Sequence, residues 1–505
     1  MTNISLKDAG FLAHIPLFQN LTFTAGPGDR IGLVAQNGAG KSTLLRCIAG
    51  ELELTSGDIT RTRGSTIGYV AQDAGPELLQ LSFRDAVLAA LPPAVHQSDS
   101  WRVDVVLDGL ETPSDIRDLP VSALSGGWQR LMLLARTWVK DPDALLLDEP
   151  TNYLDLEKIL LLENWVDTWA RDVPMIVASH DRSFLDAVTN RTLFLRPGSS
   201  VFLPLPYSQA RQELAQMDQA DAAGRERDLK QAGQLRRQSA KLKNIGVNSG
   251  SDLLLKKQKQ LRERAERIEE AASALHRDRS AEIRLANRDT HARSLIRIDG
   301  LIVKTPDQRP LFTIDKLSVD RSDRMVILGR NGTGKSTLVR LLRDALEGKM
   351  DVPEVKVTPS LALGYMDQAL TDVPGDLSPF DFLAGQGQSD ARYRSALATA
   401  GIDFDKQSRP ISVLSLGEKS RLALLALRFA EPNFYLLDEP TNHVDIAGQE
   451  ALAEEIRSRQ ASCVLTSHDR AFVREVGTRF LVVENGSLNE FGSPGHYFAS
   501  LEHAV

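Results

Sequence analysis

Short apolar runs recur along this chain, each followed by a glycine-rich or acidic stretch and then by a segment of helical character. Ile31-Gly32-Leu33-Val34, Ala144-Leu145-Leu146-Leu147 and Met175-Ile176-Val177-Ala178 are short and nearly continuous in hydrophobicity. That pattern predicts strands buried on both faces, as in a parallel sheet. Met325-Val326-Ile327-Leu328, Phe434-Tyr435-Leu436-Leu437 and Cys463-Val464-Leu465-Thr466 repeat the series. Between the two series the pattern changes. No proline lies between residues 208 and 305, which favours long helices. Leu254, Leu261, Ile268 and Leu275 recur every seven residues, with Ala265 and Ala272 between them. This is a narrow, coiled-coil-like stripe over three heptads. Leu235 and Leu242 fit a weaker stripe in the preceding segment, interrupted at Asp221 and Asp228. Residues 244–251 are rich in turn formers and predict a break, with Ser251 or Asp252 capping a second helix. An antiparallel helical hairpin is expected, with arms of about 35 residues reaching roughly 50 Å.

Length and charge refine this picture. The 505 residues exceed one domain, and 42% hydrophobic with 25% charged residues excludes a disordered or fibrous chain. No run of 18 apolar residues predicts a membrane-spanning helix, and the first residues show no secretory signal. Cys47 and Cys463 suggest no disulfide framework, so a cytoplasmic location is expected. The net charge of −7 is unevenly spread. Residues 211–293 hold 19 Lys+Arg against 13 Asp+Glu, leaving −13 on the rest, and residues 225–267 alone hold 13 against 5. A solvated helical face would explain a basic stretch. A +8 segment in an otherwise acidic chain points instead to a nucleic-acid partner.

Four motifs occur twice in the same order. Asn37-Gly38-Ala39-Gly40-Lys41-Ser42-Thr43 returns as Asn331-Gly332-Thr333-Gly334-Lys335-Ser336-Thr337, offset by 294. Leu124-Ser125-Gly126-Gly127 returns as Leu414-Ser415-Leu416-Gly417, and Asp148-Glu149-Pro150-Thr151-Asn152 as Asp438-Glu439-Pro440-Thr441-Asn442, both offset by 290. Ser179-His180-Asp181-Arg182 returns as Ser467-His468-Asp469-Arg470, offset by 288. The chain is therefore expected to hold two homologous domains, 1–208 and 293–505, joined by a charged helical linker, 209–292. Residues 329–336 match the phosphate-loop pattern G-x-x-x-x-G-K-S in full. Small residues let backbone N–H groups wrap phosphates, and the next helix adds its N-terminal dipole. Lys335 and Lys41 would reach the β- and γ-phosphates, and Ser336 and Ser42 would ligate Mg²⁺. Ala35 replaces the first glycine of the earlier loop. Asp148 and Asp438, at strand ends, suit Mg²⁺ binding, while Glu149 and Glu439 suit polarisation of an attacking water. His180 and His468 follow strands and suit a role at the γ-phosphate. Gln72 and Gln368 suit positioning of water and Mg²⁺.

Walker A, Gln loop, LSGG signature, Walker B and His switch, in that order and twice, resemble the ATP-binding-cassette ATPases. The resemblance implies two α/β cassettes paired head to tail within one chain, with ATP held between one phosphate loop and the other cassette's signature. The first site would join Lys41, Gln72, Asp148, Glu149 and His180 to Ser415 and Gly417. The second would join Lys335, Gln368, Asp438, Glu439 and His468 to Ser125, Gly126 and Gly127. Leu416 in place of a glycine brings a bulky side chain near the first site. Phe11 is the candidate for stacking on adenine there, and the second cassette has no aromatic residue at the matching place.

Glu149-Pro150-Thr151-Asn152-Tyr153-Leu154-Asp155 and Glu439-Pro440-Thr441-Asn442-His443-Val444-Asp445 further resemble the EPTNHLD run of the ABC-F subfamily, and the long charged linker matches that subfamily's plan. The resemblance implies an ATP-hydrolysing protein that binds the ribosome at the tRNA exit site. Its linker, through basic residues 225–267, would face rRNA, the peptidyl-site tRNA and the peptidyl-transferase centre. Such proteins act as translation factors or as antibiotic-resistance ribosomal protection factors. The similar spans from Lys41 to Ser125 and from Lys335 to Ser415 leave no room for an inserted arm, which places the chain with arm-less members. Two alternatives stand beside this reading. A tandem ATPase subunit of an ABC importer has similar length, and a scaffold of degenerate cassettes would need lysines and glutamates that are here intact.

Overall fold

The computed structural model describes residues 2–72, 74–249, 252–273, 283–288, 292–384 and 388–502. In the first domain, Ile67–Val70, Ala144–Asp148, Met175–Ala178, Arg30–Val34 and Arg191–Phe194 form a parallel sheet in that spatial order, with Val201–Leu203 antiparallel at its edge. Ala144–Asp148 and Met175–Ala178 are buried at every position, as expected of strands covered on both faces. A separate antiparallel sheet of Pro16–Ala25, Ile4–Leu12 and Ser56–Arg61 lies beside it. The second domain repeats this order, but its two sheets merge into one of nine strands through a single parallel pairing of Thr313 with Ser487.

The central parallel strands carry the chemistry to one edge. Arg30–Val34 leads into the first phosphate loop and the helix Lys41–Ala49, and Arg324–Leu328 leads into the second loop and Lys335–Leu346. Gly40 and Gly334, at the N-caps of these helices, have φ of 98° and 102°, which only glycine adopts readily. Gly329 opens the second loop at φ 151°. Ala35, its counterpart, stays at negative φ, which is how the first loop tolerates a Cβ there.

The linker begins as the helix Tyr207–Ser249 and returns as Asp252–Ser273. The first helix runs through most of the turn-former segment and ends only at Ser249, so the break is shorter than the sequence suggests. Local propensity against helix is weak beside the stability of a helix already propagating. The two helices run antiparallel. Ala232 and Ala265 are fully buried, and the Ser239 hydroxyl donates to the Gln258 carbonyl at 3.0 Å. Leu235 and Leu242 face the same seam half-buried, as do Leu254, Leu261 and Ile268. Leu275, Ala272 and Ser251 lie outside the residues whose side chains are described. Among the described residues no helix is long and apolar enough to cross a membrane.

The base of the linker is part of the packing between the domains. Tyr207, Ala210 and Leu214 join Leu185 and Phe194 of the first domain and Ile446 of the second in one apolar cluster. Tyr497 and Phe498, on the C-terminal helix Gly495–Glu502, pack in a cluster that includes Leu156 of the first domain. Tyr207 and Tyr497 are 290 residues apart, as are Leu156 and Ile446. Each domain thus ends in a helix that leans on the other domain, and the first domain's helix continues outward as the linker.

Candidate functional site

The two phosphate loops open into one cleft of about 1100 Å³ between the domains. Its wall gathers Asn37, Gly38, Gly40, Lys41, Ser42, Thr43, Gln72, Glu149 and His180 from the first domain. From the second come Asn331, Gly332, Gly334, Lys335, Ser336, Thr337, Gln368, Glu439 and His468, together with Ser415, Leu416 and Gly417. Asp148 and Asp438 are buried beneath it. Ser125, Gly126 and Gly127 lie outside this lining. Their surroundings belong to their own domain: a side chain at Gly126 would meet Tyr153, and one at Gly127 would meet Lys158 and the Tyr153 carbonyl.

Each phosphate loop is tied to the opposite domain. The Asn37 backbone N–H donates to Asp445 at 3.2 Å, and its Nδ2 donates to the His443 carbonyl at 2.7 Å. The Asn331 N–H donates to Asp155 at 3.1 Å in the mirrored contact. Asp155 and Asp445 also cap the helices Leu156–Trp169 and Ile446–Ser458, accepting from Lys158 and Gly448. A Cβ at Gly417 would come within 2.6 Å of Asn37 Nδ2 and 2.8 Å of the His443 carbonyl oxygen, a backbone atom that cannot give way, so glycine fits best there.

Glu149 and Glu439 sit at φ 50° and 52°, in the left-handed region. A non-glycine residue there costs about 1–3 kcal/mol, and such strain gathers at functional sites. It is held by the Glu149 N–H donating to Ala178 O at 2.8 Å and the Glu439 N–H donating to Thr466 Oγ1 at 3.0 Å. Around Glu149, Lys41 Nζ lies 3.2 Å from Oε1, and His180 Nε2 lies 3.2 Å from Oε1 and 2.6 Å from Lys41 Nζ. Burial raises the Glu149 pKa, but His180 and Lys41 outweigh it and hold the carboxyl below its usual range. Burial drives His180 itself down to about 4. Around Glu439 the balance reverses. Lys335 Nζ turns back to the carbonyls of Gly329 and Arg330, at 2.7 and 2.9 Å. Burial then lifts Glu439 to about 7, with Lys335 opposing and Asp438 adding to the rise. His468 lies 3.4 Å from Glu439 and is pulled down to about 3, chiefly by burial.

Several residues of this site are not evident from the motifs. Arg130, buried in the first signature helix, donates to the carbonyls of Ala71, Gln72 and Asp148, fixing the Gln72 segment against the strand end. Its counterpart 290 residues on is Ser420. Leu17 and Leu311 crowd the N-cap glycines Gly40 and Gly334 and line the cleft with Ile15. The 294-residue spacing of Leu17 and Leu311, equal to that of the two loop lysines, could have revealed them. Phe11 packs instead near Phe18, ring centres 6.3 Å apart, and is not part of the cleft wall. Leu416 is half-exposed within the wall, as expected.

The ABC transporter family model matches residues 18–152 and 313–442. ABC transporter F family member 5 of Arabidopsis thaliana is 30% identical over 96% of this chain and 75% of its own length. The ATP-binding protein YbiT of Escherichia coli O157:H7 is 30% identical over 95% of this chain and 96% of its own length. This chain belongs to the ABC-F family. Its cassettes bind ATP, and the ABC-F chain is an ATPase. Among solved structures, the RNase-L inhibitor superposes with a TM-score of 0.66 at 19% identity, covering 98% of this chain and 93% of that one, which shows the shared tandem-cassette fold. An archaeal ribosome recycling factor, in complex with a ribosomal stalk protein, matches with a TM-score of 0.65 at 19% identity over 98% and 92%.

Proposed function

We propose that this ABC-F protein is an ATP-gated ribosome factor, which binds near the tRNA exit site and acts through its hairpin on the peptidyl-tRNA and the peptidyl-transferase centre, in translation or in ribosomal protection. The observation that carries this reading is the helical hairpin itself. Its basic segment, residues 225–267, projects from an otherwise acidic cassette pair. Lysine and arginine offset the repulsion between acidic domains and RNA phosphates. Structures of the same fold include an archaeal ribosome recycling factor and the ABCE1 of a model of ribosome-bound archaeal Pelota and ABCE1.

In this reading Lys41, from beside Glu149, and Lys335, from the carbonyls of Gly329 and Arg330, reach the β- and γ-phosphates. Backbone N–H groups of the loops and the helix N-termini hold the phosphates. Ser415 and Gly417 close the first site from the second domain, and Ser125, Gly126 and Gly127, which lie outside the cleft wall in this structure, would close the second site from the first once nucleotide draws the domains together. Glu149 and Glu439 orient the attacking water and take its proton, with His180 and His468 facing the γ-phosphate. The residues fit Mg²⁺. The Ser42 hydroxyl lies beside Asp148, whose Oδ1 is buried with no hydrogen-bond partner among the described residues, and such oxygen donors suit a hard cation. Ser42, Gln72 and Asp148, and likewise Ser336, Gln368 and Asp438, would hold it. Bound Mg²⁺ neutralises charge on the β- and γ-phosphates.

The test is co-sedimentation. With Glu149→Gln and Glu439→Gln slowing hydrolysis, the ATP-loaded chain should pellet with ribosomes at low salt. Recovery only in the supernatant would overturn the ribosome reading.

A further inference from the structure

We infer that Arg421 of the second domain is a nucleotide-binding residue of the first ATP site, contacting the phosphates of the nucleoside triphosphate from across the domain boundary. The inference rests on the reading that ATP lies between the first phosphate loop and the second signature.

Arg421 lies on the helix Leu416–Ala430, four residues beyond Gly417 and so on the same helix face. That face looks at the first phosphate loop, because the space beside Gly417 is filled by Asn37 of the first domain. Arg421 lines the cleft. Its Nε is buried without a hydrogen-bond partner among the described residues, and its guanidinium rests 3.5 Å from the position of a Cβ on Gly401. A partly desolvated guanidinium with no carboxylate bonded to it among the described residues is costly, and a triphosphate offers bidentate oxygens. Lys406 lines the same wall but is paired with Glu418 at 2.7 Å, whereas no ion pair of Arg421 is formed among the described residues. Gly401 has φ 78°, while its counterpart Glu111 takes φ 47° and carries a side chain.

At the matching positions the first domain offers its partner site no cation. Residues 290 positions earlier are Leu131 for Arg421 and Ile116 for Lys406, and Leu131 is buried in the core. The two sites therefore differ in the charge supplied across the interface.

The experiment titrates fluorescent ATP, ADP and GTP analogues into the full chain carrying Glu149→Gln and Glu439→Gln, resolving two classes of site. Arg421→Ala should weaken one class about tenfold for all three nucleotides, and Arg421→Lys should recover part of that loss. The unchanged second class reports that the chain remains folded. Equal weakening of both classes, no change in either, or a loss confined to adenine nucleotides would overturn the assignment. Gly417→Glu, measured in parallel, separates the two ideas. If Gly417→Glu weakens one class and Arg421→Ala does not, only the Arg421 assignment falls. If neither variant changes binding, the shared-site reading falls with it.

Discussion

Glu149 and Glu439 occupy matching positions in different electrostatic surroundings, and pH should separate them. His180 and Lys41 hold the Glu149 carboxyl below its usual range against burial, whereas burial lifts Glu439 to about 7. A general base works as the carboxylate, so lowering pH through 7 should remove the competent form of Glu439 and spare Glu149. Glu149→Gln leaves turnover to the second site, and its ATPase rate should fall about tenfold between pH 8 and pH 6. Glu439→Gln leaves turnover to the first site, and its rate should stay nearly flat over that range. Steady-state phosphate release across pH decides this, and identical profiles would refute the assigned asymmetry. Arg130 gives a second residue-level expectation. Arg130→Leu strips three carbonyls of a buried charged donor, which should cost roughly 3 kcal/mol and lower the melting temperature by several degrees. It should also depress ATPase activity through the loosened Gln72 segment.

At the scale of elements, the strands and phosphate loops were legible because buried parallel strands read as apolar runs and phosphate loops need glycine and lysine at fixed spacing. The hairpin was legible from its heptads, but not its upper limit. The turn formers at 244–249 continue as helix, since helix propagation outweighs their modest preferences. Arg130, Leu17 and Leu311 were hidden because their roles come from which backbone carbonyl or glycine the fold brings beside them. Arg421 was hidden for a related reason: it matters through the opposite domain. The seam predicts its own weak point. Ala232 and Ala265 have no exposed surface in the hairpin, so Ala265→Glu buries a charge and a longer side chain in the seam. Limited proteolysis should then cut within 225–267 much faster, while ATP hydrolysis without ribosomes stays near that of the unaltered chain. Deleting residues 243–252 should likewise spare ATP binding and abolish any effect on translation. Retention of that effect would exclude the hairpin end as the acting part.

For the whole molecule, the ties between the phosphate loops and the opposite domain matter most. Asp445 and Asp155 each cap a helix and accept a phosphate-loop N–H from the other domain, so nucleotide capture and domain pairing share the same groups. Asp445→Ala should weaken ATP-dependent compaction of the chain in small-angle scattering more than it weakens nucleotide binding, because the loop keeps its own phosphate contacts. Equal losses in both would mean that Asp445 acts only on the loop. Regional charge follows the same division of labour, with acidic cassettes holding the nucleotide and basic residues concentrated on the projecting helices.

The helix that begins at Tyr207 is seated on Ile446, the residue after Asp445, and continues unbroken to Ser249. It therefore acts as a lever whose fulcrum is the domain interface. About 35 residues extend beyond Leu214, an arm of roughly 50 Å, so a tilt of ten degrees at the fulcrum sweeps the far end through roughly 9 Å. In the second domain the described part of the matching helix is Gly495–Glu502, eight residues seated beside Leu156. The seat of the first domain's helix is thus a bearing with an output shaft, and the travel of its far end grows with the length of that shaft.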